Sequence, residues 1–176
     1  MSLLRRFRID SKGAAALEFA FIAPAMLALY FGMAEFCEAL MAQRKAAHVA
    51  SAVGDLVSRV NQVSTSDLSD IFTIGSEIMQ PFPSAGLGMR VTSLVQGASG
   101  PPTVVWSRGY GSLAAKTAGT AVTTPMTLTN GQSLVMAESA YQYNSVLHYV
   151  MPAVMNWNNV NYLTPRVSDQ VTCTGC

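Results

Sequence analysis

Charged residues are scarce in this chain: Asp, Glu, Lys and Arg make up 12% of its 176 residues, and the formal net charge is +1. A surface so nearly neutral offers no basic stripe for phosphates, which argues against a nucleic-acid partner. Cysteine is confined to Cys37, Cys173 and Cys176, and histidine to His48 and His148. With no second CxxC, and neither histidine at ligand spacing from the cysteines, a zinc framework is not supported. A Gly-rich phosphate loop, a GxSxG elbow and an HExxH helix are also missing. The expectation is a protein that is not an enzyme, with no cofactor, no metal and no small-molecule substrate.

Apolar residues, by contrast, are half of the chain, and they are concentrated near its start. Ala14 to Ala34 is a run of 21 residues with a single charge, Glu18. That fits the roughly 20 apolar residues that a membrane-spanning helix needs. Arg5, Arg6, Arg8 and Lys12 precede the run against one acid, Asp10. Such clusters stay on the cytoplasmic side during insertion, so the remainder is expected outside. Residues 1–13 lack a periodic apolar face and read as a leader. A secretory signal cut near Ala23-Pro24-Ala25 is the alternative, but it would split the run, which is longer than the 7 to 15 residues of an ordinary h-region. Pro24 removes a backbone hydrogen bond and crowds the preceding turn, so a kink is expected there.

Glu18 is the anomaly, because a carboxylate within a span costs on the order of 2 to 3 kcal/mol on insertion scales. Either it sits at the cytoplasmic interface, where a snorkelling side chain survives, or its placement serves something else. Cutting after Gly13 would leave Glu18 fifth in the mature chain.

A basic leader ending in Gly, a glutamate five residues on and an apolar helix resemble a class III, type IV-like signal peptide, of the kind cut by prepilin peptidases. More narrowly, GAAALEFAFIAPAML (13–27) resembles the start of the TadE/TadG family of tight-adherence (Tad, Flp-type) pilus proteins, with its Gly-Ala-x-x-x-Glu-Phe-Ala run. Weaker similarity continues in TVVWSRGYG (103–111), LVMAESAYQYNSV (134–146) and TPRVSDQVTC (164–173). The resemblance implies processing between Gly13 and Ala14 and recognition and assembly through Glu18 and Phe19; the kink at Pro24 is read as structural, with a flexing point for extraction into a filament as the alternative. The resemblance also implies a minor pilin (pseudopilin) or assembly factor held in the bacterial inner membrane, N-terminus cytoplasmic and C-terminal domain periplasmic, and capable of entering an extracellular pilus. Its partners would be the membrane, a prepilin peptidase, other pilin-like subunits and the Tad inner-membrane assembly machinery.

Past Ala34 the pattern becomes amphipathic. Phe36, Leu40, Ala47, Ala50, Val53, Val57 and Val60 recur at helical spacing, and Glu35, Glu38, Arg44, Lys45, His48, Asp55 and Arg59 fall on what reads as a solvated face. An unbroken helix over 14–60 would span roughly 70 Å at 1.5 Å per residue. Glu35 and Glu38 share a face, but His48 is nearly three turns from Glu38, so these are read as surface charges rather than ligands. Cys37 is read as a small packed side chain.

Ser66 is a plausible N-cap for a second helix with Leu68, Ile71, Phe72, Gly75, Ile78 and Met79 on one face, stopped by Pro81 and Pro83. From Met89 strands are expected: 89–97 and 103–111 as a hairpin about Gly100-Pro101-Pro102, then 133–145 with neither face cleanly apolar. Residues 111–131 read as a loop ending in the turn signal Asn130-Gly131. A single antiparallel sheet resting on the stem would leave tyrosines near its open face. Residues 151–160 are ambiguous, and 162–172 suggest a last edge strand interrupted by Pro165.

The terminal Cys173-Thr174-Gly175-Cys176 can be a redox pair, half of a metal site or a small disulfide. A thioredoxin-like pair needs a helix after its first cysteine to lower its pKa, and only Thr174-Gly175-Cys176 follow Cys173 here, so a redox role is disfavoured. An exported domain is oxidised, which favours a Cys173–Cys176 disulfide, with pairing to Cys37 or a partner as alternatives. The expected fold class is α+β and pilin-like, a long N-terminal helix bearing a small antiparallel sheet. Its parts are a leader (1–13), a span (14–34), a stem (35–60) and an extracytoplasmic domain (61–176). An uncleaved anchor displaying a binding domain, and a tethered redox protein, are the competing readings.

Overall fold

The computed structural model describes residues 12–146 and 152–176, so most of the leader, His148 and Met151 lie outside the described residues. The α+β class is the one found. α1 (Lys12–Ser58) is one helix of 47 residues with Pro24 inside it. Its two halves meet different surroundings. From Leu17 to Met33 the large side chains are exposed, with Phe21 at 77%. From Glu35 onward a stripe of Glu35, Ala39, Ala42, Ala46, Val49, Val53 and Val57 is buried at steps of three and four residues.

That stripe corrects the expected apolar face. Ala50, Val53 and Val57 are buried as anticipated, but Phe36, Leu40 and Val60 are exposed and Ala47 is only half-buried. The cause is proximity: the helix lies close enough to the sheet for Ser139 Oγ to donate to the Ala46 carbonyl at 2.6 Å. Bulky side chains in the stripe would hold the two layers apart, so alanine occupies it.

A short strand, β1 (Gln62–Ser64), leads into α2 (Thr65–Ile78). Its N-cap is Ser64 rather than Ser66: Ser64 Oγ accepts from the Asp67 backbone N–H while Asp67 accepts from the Ser64 N–H. This reciprocal box satisfies two otherwise orphaned donors, and Ser66, two residues on, bonds only the Ser64 hydroxyl. α2 packs beside α1 through Leu68, Phe72 and Gly75, where a Cβ would fall 3.2 Å from Val53 Cγ2. Lys45 Nζ donates to the Ile78 carbonyl at the end of α2.

The sheet comprises β2 (Leu87–Val95), β3 (Thr103–Tyr110), β4 (Ser133–Asn144) and β5 (Val154–Leu163), antiparallel throughout in the order β3-β2-β4-β5. β2 and β3 form the expected hairpin, with a register shift between Ser93 and Leu94. Two elements depart from expectation. β5 is a full ten-residue partner of β4, occupying most of the ambiguous segment. The strand expected over 162–172 does not form beyond Leu163; β6 (Thr172–Thr174) pairs in parallel with β1 instead. The segment between is used as a strap: the Arg166 N–H donates to the Ser58 carbonyl, and Trp106 Nε1 donates to the Val171 carbonyl at 2.8 Å.

β4 is buried on both faces near its start, which is why it shows no clean alternation. Val135, Ala137, Ser139, Tyr141 and Tyr143 lie in the main core beneath the stem and α2, while Leu134 and Met136 join Leu94, Val104 and Leu128 in a second cluster on the reverse face. Tyr141 and Tyr143 are therefore on the covered face, not the open one. Their polar tips are satisfied there, by the Pro83 carbonyl and by Glu35. Arg90 and Glu138, opposite each other on β2 and β4, form a two-armed ion pair at 2.6 and 2.7 Å. A third arm of Arg90 donates to the Ala114 carbonyl and fixes the 111–132 loop. That loop turns back at Gly131, whose φ of 82° favours glycine.

Candidate functional site

Two regions carry the features a function could use: the bare half of α1 and the point where it becomes the stem. In the bare half, Gly13, Ala14, Glu18, Phe19 and Pro24 are all exposed, Phe19 at 71%. A Cβ built on Gly13 meets nothing within 4 Å. Among the described residues Glu18 takes part in no hydrogen bond or ion pair. The helix therefore presents Gly13-Ala14 and Glu18 to the surroundings, one turn apart, without support from the rest of the fold. It is long and apolar enough to cross a membrane.

The junction is built around Glu35, which the sequence placed among solvated charges. It is buried, 6% exposed, and its Oε1 accepts from the Tyr143 hydroxyl and from the Val146 backbone N–H, both at 3.1 Å. The stripe repeat brings it there: Glu35 stands one turn before Ala39, in line with Ala42 and Ala46. Burial, together with the hydrogen bond to Glu35, pushes the Tyr143 hydroxyl up to about 12. Around it Phe82 and Trp157 pack at ring separations of 6.4 and 5.8 Å. The spacing of Glu35 from the alanines is the signal the sequence carries, masked because a carboxylate ordinarily reads as a surface charge.

At the far end of the stem Asp55 bridges Arg59 and Arg166 at 2.6 and 2.7 Å. The hydrogen bond from Arg59, reinforced by the positive charge of both arginines, holds the Asp55 carboxyl below its usual range. This cluster ties the strap to the helix. Cys173 and Cys176 are joined as a disulfide in β6 and the turn after it, with Cys173 opposite Val63 of β1. Cys37 is a free thiol facing outward rather than a packed side chain. No group of three or more His, Cys, Asp or Glu that could hold a metal occurs among the described residues. A shallow cleft over β4 and β5, lined by Gln142, Asn156 and Asn158, carries no ionisable group suited to acid–base chemistry apart from Tyr141.

The architecture is thus that of a small α+β domain carried on one long helix whose first half is apolar and uncovered. Residues 13–55 match the model of the family described as TadE-like protein. The chain carries a TadE-like segment at its N-terminal helix, in line with the resemblance read from Gly13 to Leu27. No curated protein and no solved structure matches the chain.

Proposed function

We propose that this protein is a minor pilin-like subunit or assembly factor of a Tad-type pilus or secretion apparatus. α1 spans the bacterial inner membrane through Ala14–Ala34, with the basic leader in the cytoplasm and residues 61–176 in the periplasm. The role is mechanical rather than catalytic. A prepilin peptidase cuts between Gly13 and Ala14, and the processed helix joins other pilin-like subunits through the inner-membrane assembly machinery. The observation that carries this reading is the extent of the TadE-like match, which starts at Gly13 and runs through the uncovered apolar half of α1 into the packed stem as far as Asp55.

Glu18 then has a partner available. The new ammonium group of Ala14 on an adjacent subunit can neutralise it in low dielectric. The attraction at contact is worth several kcal/mol, but desolvating both ions takes much of that back, so the pair sets register more than it adds stability.

The intact mass and N-terminal residue of membrane-extracted protein test the reading. In cells with an active prepilin peptidase the mature chain should begin at Ala14. Finding Met1 or Ser2 as the sole terminus would leave the protein as an uncleaved anchor. Gly13→Ala should slow cutting without altering insertion. Glu18→Gln should still insert and be cut, yet copurify poorly with other pilin-like subunits. Wild-type copurification by that variant would sink the pairing and leave Glu18 as a peptidase determinant or interface residue.

A further inference from the structure

The two outer strands of the sheet, β3 and β5, are finished differently. β3 is covered along its outer edge by the 111–132 loop. The Val104 N–H donates to the Thr120 carbonyl at 2.9 Å, the Val104 carbonyl accepts from the Gly119 N–H at 2.8 Å, and the Val122 N–H donates to the Pro102 carbonyl at 2.8 Å. At the other end of the strand Tyr110 bridges to Leu113, and Arg90 holds the loop there through the Ala114 carbonyl. An edge whose donors and acceptors are taken in this way is closed to another strand.

β5 has no such cover. It lies beside β4 for ten residues in unbroken register. Just before it, the Ser145 N–H donates to the Ala153 carbonyl, so residue 153 turns its backbone polar groups toward β4. In an antiparallel ladder this orientation alternates, and residues 155, 157, 159, 161 and 163 follow 153. The N–H and C=O of Val154, Asn156, Asn158, Val160 and Tyr162 therefore point away from the sheet, and no bond outside the ladder reaches any of them among the described residues. Edge strands ordinarily blunt this template with a proline, a lysine, a bulge or a short length. The strand VMNWNNVNYL uses none of these, and residues 139–165 include no Asp, Glu, Lys or Arg.

We propose that the outer edge of β5 takes up an uncharged extended segment of another exported chain as a fifth strand of the sheet. Main-chain bonds supply such an association and the flanking side chains select the segment. Toward the stem those side chains are Met155 and Trp157, partly buried at the margin of the core. On the reverse face Asn156 and Asn158 line a cleft of about 200 Å³ with Gln142. The segment that fits alternates aliphatic residues with residues bearing hydroxyls or carboxamides, since a charge would meet no counter-ion here. A second copy of this chain does not fit. Its β3 edge is closed by the loop. α1 runs against β4, as the Ala46–Ser139 and Glu35–Tyr143 contacts show, and hence along β5. Two copies joined antiparallel through β5 would point their apolar helix halves in opposite directions, which one bilayer cannot accept. Joined in parallel about a twofold axis they would set like residues opposite each other, whereas parallel ladders bond on a slant. The choice of another chain over a second copy rests on α1 spanning one bilayer, as proposed above; the open edge does not.

The test uses the full chain in detergent micelles and a fluorescent peptide as long as β5, alternating threonine with valine and ending in solubilising lysines, followed by anisotropy. The parent protein should bind it saturably. Two further peptides carry N-methyl groups on every valine or on every threonine, which removes the donors of one edge of the peptide or of the other. A strand added to β5 uses only one of its edges, so one set should weaken binding by about tenfold or more, each lost backbone bond counting for roughly fivefold, and the other set should not. Val160→Pro removes a donor that points away from β4, a position where an edge strand tolerates proline, and should weaken binding severalfold, whereas Val160→Thr keeps the donor and should bind as the parent does. The methylated peptides decide the matter on the parent protein even where the proline variant does not fold. Absence of saturable binding overturns the proposal, as does equal binding, or equal loss, with the two methylated sets. A concentration-dependent dimer of the protein that the unmodified peptide dissolves would place a second copy on the edge and overturn the assignment to another chain. Neither result bears on cleavage after Gly13, which the N-terminal residue reports separately.

Discussion

The hydroxyl of Tyr143 donates to Oε1 of Glu35 across 3.1 Å, joining two residues 108 apart in sequence. The same oxygen accepts from Val146, so one side chain of α1 fastens the last turns of β4. Removing it should leave a buried hydroxyl and a backbone N–H without their acceptor. An unsatisfied buried donor costs about 1–3 kcal/mol, so Glu35→Ala should lower stability by at least that much. Glu35→Gln keeps an acceptor and the size of the side chain and should lose less. Denaturant unfolding in detergent micelles, followed by the signal of the packed tyrosine and tryptophan rings, measures both. Equal stability of Glu35→Ala and the parent protein would mean that the junction does not depend on the clasp.

Tyr143 gives a pH signature. Its folded value of about 12, raised by burial and by Glu35, lies above the 10.0 of a free tyrosine. The neutral form is favoured by folding, so this contribution is fully present below about pH 10 and is lost as pH rises through 12. Ultraviolet titration should show a late-ionising tyrosine that vanishes in Tyr143→Phe. That variant should also have a flatter stability profile across the same window.

Asp55 acts on the opposite limb. Hydrogen-bonded by Arg59 and attracted by Arg59 and Arg166, its carboxyl is held below its usual range, about 3.9, so folding favours the charged form. Its contribution is present above that value and fades as pH falls through the lowered one. Asp55→Asn should remove the corresponding part of the acid-side loss. Protease cleavage in the 164–171 strap, which Arg166 fastens to the end of α1, should rise in that variant at neutral pH.

The apolar run and the amphipathic stem were legible because their signals are long and local: 21 residues for the span, and a repeat over seven turns for the helix. The strands of the β2–β3 hairpin and β4 were legible from β-branched residues between turn signals. What escaped depended on tertiary placement. Helical spacing places Phe36 and Leu40 on the apolar face, whereas close packing on a sheet selects Ala39, Ala42 and Ala46. β5 was obscured by its asparagines, which favour turns in isolation. Here Asn159 donates to Ser139 on the neighbouring strand β4, and Asn161 donates to Ser51 of α1. The parallel β1–β6 pair joins segments whose sequence separation leaves no local trace. In the candidate site, the reading of Gly13 and Glu18 rests on their spacing, which is a local signal. Glu35 was missed because its partners come from a strand more than 100 residues away.

The spacing between α1 and the sheet can be tested at Gly54. A Cβ placed there would lie 2.5 Å from Leu163 Cδ1 and 2.9 Å from Ala137 Cβ. Two effects compete when this glycine becomes alanine. Helix propensity gains about 1 kcal/mol in a helix interior. Overpacking a filled interface costs about 1–3 kcal/mol. The Leu163 side chain can rotate away, but Ala137 is fixed to the backbone of a strand paired on both sides, so the packing cost should prevail. Gly54→Ala should be destabilising, and Gly54→Val more so. A double-mutant cycle with Leu163→Ala isolates the contact. Truncating Leu163 alone should destabilise, while in the Gly54→Ala background it should cost less, because the added methyl occupies part of the space that leucine vacates. Strict additivity would mean that these two positions do not touch, and that some other pair of residues sets the distance between helix and sheet.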